Sequence, residues 1–146
     1  MTIHTRKRLC LGLIVLNLLL IWGNSLLPGS ISGAMSEWLR EFLGLPSHVG
    51  GADPEGILRK LAHLLEFTSL GVLLAWHSTM QRVKIPALCG FLAACTDEII
   101  QYFVPDRGPG LSDVLIVSIG AVIGIILFRL AARIYQKYLI LEDNSQ

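Results

Sequence analysis

The stretch 95-CTDEIIQYFVPDRGPGLSD-113 sets two adjacent acids, Asp97 and Glu98, between the apolar run 85-IPALCGFLAAC-95 and Ile99-Ile100. A short polar loop follows, and then another apolar run. Its placement decides the fold. An ionised side chain inside a membrane span costs about 2.5–3.5 kcal/mol on insertion scales. Acids at such positions need partners, and the rest of the chain must supply them.

Composition sets the class. The 146 residues are 53% hydrophobic and 16% charged, against about 25% charged in a soluble domain. Mean hydropathy is +0.60, and the apolar residues come in long blocks. The expectation is a single all-α integral membrane domain spanning 1–146. A net charge of +1 offers no field for nucleic acid, so no nucleic-acid partner is expected. Cys10, Cys89 and Cys95 lie in apolar runs, where free cysteine behaves as a small hydrophobe.

A helix needs about 20 apolar residues to cross a bilayer. Four segments qualify: 9–27, 57–76, 85–103 and 113–132. The first follows Arg6-Lys7-Arg8, as a signal peptide would. It is long for a signal core and its cleavage pattern is poor, so an uncleaved anchor is expected; removal would leave three spans. Lysine and arginine counts orient the bundle. Arg6, Lys7, Arg8, Arg82, Lys84, Arg129, Arg133 and Lys137 fall on one side, eight against the four of Arg40, Arg59, Lys60 and Arg107. Both termini are therefore expected in the cytoplasm, with the 28–56 and 104–112 loops outside.

The first outer loop has its own pattern. Met35, Trp38, Leu39, Phe42 and Leu43 fall at i, i+3, i+4, i+7 and i+8, which predicts a short amphipathic helix. Ser36 is its candidate cap, and Gly44 with Pro46 ends it. Such a helix either packs on the bundle as a lid or lies in the membrane interface. Residues 46–56 read as a loop, with His48 solvated there and His77 in the next one. Asn17 reads as a helix-packing hydrogen bond. Gly120 and Gly124 form a small-xxx-small pair for close packing, within the bundle or in a homodimer.

In this topology the polar residues converge. Lys60, His63 and Glu66 are spaced by three and share one broad face, with Glu66 roughly 9 Å deeper than Lys60. Asp97 lies at a similar depth below Phe103. Gln101 can meet Asp97 at i, i+4 and Glu98 at i, i+3. Arg107 and Asp113 come from the next loop and helix start, where Ser112 or Asp113 can cap. Asn24 and Ser25 end the first span. A purely structural ion-pair network is one reading, although buried pairs are weak evidence for net stability. The other is an outward-facing polar pocket whose ligand-binding residues are Lys60, His63, Glu66, Asp97, Glu98, Gln101, Arg107 and Asp113.

These residues resemble the VanZ-like family of small bacterial membrane proteins. The resemblance rests on Lys60, His63 and Glu66 and more strongly on Asp97-Glu98-x-x-Gln101, Pro105-x-Arg107, Ser112-Asp113, Gly120 and Gly124, with Ser25 and Pro28 after the first span. It covers about residues 9 to 130. One departure is Glu66-Phe67, where many members carry an aromatic or small residue. The family is named for an accessory protein of glycopeptide resistance, associated with lowered susceptibility to teicoplanin. The resemblance implies a cytoplasmic-membrane protein of bacteria with an outward polar site and a role in the cell envelope.

Three functions follow as expectations. In the first, the pocket binds a lipid headgroup, a lipid-linked cell-wall intermediate or an acylated antibiotic, with Lys60 and Arg107 attracting phosphate or carboxylate. In the second, an intramembrane enzyme acts on a lipid-linked or phospholipid substrate. There His63 is the acid or base, held by Glu66 or Glu98, and the catalytic candidates are His63 and Glu98. The third, a proton-coupled transporter, would need a dimer. One histidine is too few for the usual zinc site, so no metal or cofactor is expected.

Overall fold

The computed structural model describes residues 2–46, 54–78, 83–108 and 110–143. Among them the chain forms five helices and no strand: α1 (Ile3–Ser25), α2 (Gly29–Phe42), α3 (Pro54–His77), α4 (Lys84–Tyr102) and α5 (Leu111–Asp143). The expectations for His48 and Arg82 fall outside the described residues.

The helix ends differ from the sequence reading for identifiable reasons. α1 begins six residues before Leu9, because the Thr2 hydroxyl accepts the Thr5 N–H at 3.3 Å and caps it. α3 opens on Pro54, whose missing N–H costs nothing at a helix start, so 54–56 is helix and not loop. His77 is the last residue of α3 and is exposed, not a loop residue. α5 runs 33 residues, about 50 Å, well past Ala132. Residues 133–143 contain neither Gly nor Pro to stop it.

The amphipathic helix is longer than its apolar stripe. It starts at Gly29 behind Pro28, so Ser36 lies inside it and donates to the Ser32 carbonyl at 3.0 Å rather than capping. α2 packs against α3, yet its buried residues are Ser32 and Ser36. Met35, Trp38, Phe42 and Leu43 are exposed, and Trp38 stacks on Phe42 at 5.6 Å. α2 therefore sits on the bundle by its small polar face and leaves most of its apolar stripe uncovered. It ends where Gly44 takes φ 66°, a left-handed conformation that costs glycine little.

Two helices, His4–Ser25 and Leu111–Glu142, are long and apolar enough to cross a membrane. Only 22% and 28% of their most apolar windows are buried. The core helices of a soluble domain would be mostly covered. Here Leu16, Leu19, Leu20, Leu115, Ile119 and Ile126 face outward, as they do in proteins solvated by lipid.

Lipid is as apolar as leucine, so helices in it associate through close packing of small residues. α3 and α5 do so. A Cβ on Gly124 would collide with the Thr68 carbonyl, and one on Gly71 with the Ala121 carbonyl. Gly120 faces Leu64 and Phe67 of α3, so the glycine pair serves packing within the bundle. Phe67, Ile21, Leu70, Ala94 and Val117 complete the core. Asn17 Nδ2 donates to Ser69 Oγ at 2.7 Å, tying α1 to α3.

Candidate functional site

Three helices meet at the end of the bundle that holds the α1–α2 and α4–α5 connections. Ser25, in the last turn of α1, is fully buried and donates to Asp97 Oδ1 at 2.5 Å. One turn along α4, Gln101 Nε2 donates to Asp97 Oδ2 at 2.8 Å, which assigns that end of the amide as nitrogen. The same nitrogen lies 3.2 Å from His63 Nε2 on α3. An amide nitrogen only donates, so His63 Nε2 accepts and Nδ1 carries the proton. Nδ1 donates to Glu66 Oε2 at 2.7 Å. Glu66 Oε1 accepts from Asn24 Nδ2 at 3.1 Å, returning the chain of bonds to α1. Each of these polar groups thus has a partner, as burial requires.

The 104–110 loop is positioned from two sides. On one, Gly29 N–H donates to the Pro105 carbonyl at 3.0 Å. A Cβ on Gly29 would strike the Asp106 carbonyl, so only glycine lets α2 approach this closely. Asp106 takes φ 59°, a conformation aspartate tolerates better than most residues. On the other side, Glu98 Oε2 accepts the Gly110 N–H at 3.1 Å. Gly110 precedes α5, and its carbonyl accepts from Asp113 and Val114. The cap position is therefore Gly110, not Ser112 or Asp113. Asp113 lies in the first turn, where a negative charge suits the helix dipole.

Between this loop and the network lies a cleft of about 50 Å³ lined by Arg59, Lys60, His63, Gln101, Arg107 and Asp113, among others. Lys60 Nζ pairs with Asp113 Oδ1 at 3.2 Å, both side chains partly exposed. A pair of that kind is worth about 0–1 kcal/mol. Arg107 Nη2 donates to the Asn24 carbonyl at 3.2 Å. Among the described residues its Nε and Nη1, both buried, meet no acceptor. Burial draws the guanidinium below its usual pKa and the cation of Arg59 pulls the same way, while the carboxylates of Asp97, Glu66 and Glu98 oppose them. A cleft with these donors suits a small anion, since charged donors to an anionic oxygen make the stronger class of hydrogen bond.

The eight residues read from the sequence divide into two groups. Lys60, His63, Gln101, Arg107 and Asp113 line the cleft. Glu66, Asp97 and Glu98 stand behind it: Glu66 orients His63, Asp97 orients Gln101 and Ser25, and Glu98 holds Gly110. Glu98 is 8% exposed and does not face Arg107 across the opening. Arg59, whose charge alone marks it in the sequence, lines the cleft too; it neighbours Lys60 but stands off the spacing of three.

The family model described as VanZ/LLP1 matches residues 9–132. No curated protein and no solved structure matches the chain. The matched span contains every residue of the network and the cleft, and the chain belongs to the VanZ/LLP1 family.

Proposed function

Taking VanZ-like membership as the premise, we propose that this is a multi-pass protein of the bacterial cytoplasmic membrane whose cleft binds an anionic headgroup. α1, α3, α4 and α5 would be the four spans, with both termini in the cytoplasm and the cleft at the outer surface. α2 would lie in the interface, its exposed Met35, Trp38 and Phe42 in contact with lipid. The ligand would be a lipid headgroup, a lipid-linked cell-wall intermediate or an acylated antibiotic. Binding it would modulate the envelope or lower susceptibility to teicoplanin-type glycopeptides.

The observation that carries this reading is Arg107. A guanidinium with two buried nitrogens that lack acceptors among the described residues, in a cleft shared with Arg59 and Lys60, would be satisfied by an anion from outside the chain. The test is titration of the purified protein with glycerol 3-phosphate. Wild type should bind it saturably, and Arg107→Ala should lose at least about tenfold in affinity. Equal binding by the variant sinks the proposal. In cells the same variant should lose any envelope or glycopeptide phenotype while remaining in the membrane.

A second reading rests on His63 and Glu66, whose 2.7 Å bond is that of an oriented acid–base pair. Against it, Gln101 occupies His63 Nε2, the nitrogen that would have to exchange a proton with substrate. Release of phosphate or of a free headgroup from a phospholipid, abolished in His63→Gln, would favour the enzyme over the binding protein.

A further inference from the structure

A second and much larger cavity adjoins the cleft. It is a groove of about 630 Å³ between α2 and α3, lined by Ile31, Met35, Trp38, Leu39, Leu58 and Ala62, with a few polar residues at its sides. Arg59 lines both cavities. Asn24 lines the groove as well, and its carbonyl holds Arg107. An apolar channel and a cationic cleft therefore share a wall.

The sizes separate the roles. A cleft of about 50 Å³ is of a size for a phosphate group. The groove falls within the roughly 300–1,000 Å³ of small-molecule sites and has little to hydrogen-bond. Its apolar lining favours hydrocarbon, at roughly 25 cal/mol for each Å² of apolar surface removed from water. The position of Arg59 matches a molecule whose charge lies where its chain begins. Long basic side chains commonly take that place, laying the stem along apolar surface and the head on the polar group.

Resting on the reading that the cleft takes an anionic head, we propose that the ligand is a phosphate-bearing amphiphile. Its phosphate sits by Arg107, Arg59 and Lys60, and its acyl chain lies in the groove between α2 and α3. α2 is then one wall of a binding site as well as a surface helix.

The test titrates the full-length protein in uncharged maltoside micelles with three probes: inorganic phosphate, glycerol 3-phosphate and lysophosphatidic acid. The chain-bearing probe should bind at least about tenfold more tightly than the other two. Ala62→Trp and Ala34→Trp fill the groove from opposite walls at exposed positions. Each should reduce lysophosphatidic acid to the affinity of glycerol 3-phosphate and leave glycerol 3-phosphate unchanged, which also verifies that the cleft is folded. Arg107→Ala should weaken all three probes. If both tryptophan variants bind lysophosphatidic acid as wild type does, the groove is not the chain site, although the headgroup reading stands. If inorganic phosphate binds as tightly as lysophosphatidic acid, the ligand is free phosphate and the amphiphile is excluded. If Arg107→Ala changes none of the three, the headgroup reading itself falls.

Discussion

The two ends of this helix bundle hold their polar residues in opposite ways. At one end Asn24, Ser25, His63, Glu66, Asp97 and Gln101 are bonded to one another across α1, α3 and α4. At the other, Arg6 lies over the Trp76 ring at 6.0 Å and donates to its carbonyl. That end opens into a cleft of about 530 Å³ lined by Arg6, Lys7, Trp76, His77 and Tyr135 among others. Arg6, Lys7 and His77 there are exposed. The contrast lies in burial. Buried polar groups need complete partnership, because a lost partner leaves a desolvated group with nothing to replace it. Exposed cations can trade partners with water at little cost.

The comparison breaks first at Asp97. Asp97→Leu should lower stability by about 2–4 kcal/mol, since Ser25 and Gln101 both lose an acceptor inside the bundle. Thermal unfolding in detergent measures this, and a loss under about 1 kcal/mol would mean that the network is slack. Gly29→Val should come next, at about 1–3 kcal/mol, by driving α2 off the Asp106 carbonyl. Because the same movement shifts Arg107, glycerol 3-phosphate affinity should fall with it; unchanged affinity would separate the loop from the site. Asn24→Ala removes one bond, to Glu66, while keeping the carbonyl that holds Arg107. It should cost about 0.5–1.5 kcal/mol and leave anion affinity nearly intact. Arg6→Ala, at the open end, should cost no more than about 0.5–1 kcal/mol. A larger loss there would erase the distinction between the two ends.

Much of the polar end could be read in advance because helix geometry is local. The spacing of three from Lys60 to Glu66 and of four from Asp97 to Gln101 places side chains by turn and rise alone, and Asp97 does meet Gln101. The separate fates of Asp97 and Glu98 could not be read. Adjacent residues on a helix diverge by about 100°, so one turns toward α1 and α3 and the other toward Gly110. Which way each turns depends on how α4 is rotated in the bundle. The exposed stripe on α2 has the same origin. The sequence marks Met35, Trp38 and Phe42 as one face, but Ser32 and Ser36 are small enough to let α3 approach on the other.

The sequence by itself determined the helical class, the long apolar blocks, the family and the gathering of polar residues near one end. All of these follow from composition, periodicity and motif, which need no neighbour. Only the tertiary structure decided which acids line the cleft and which stand behind it, that two Arg107 nitrogens find no acceptor among the described residues, and that Arg59 borders both cavities. Those facts depend on the rotation and crossing of helices. These are set by contacts between residues far apart in the chain, such as Gly124 against Thr68 and Gly29 against Asp106.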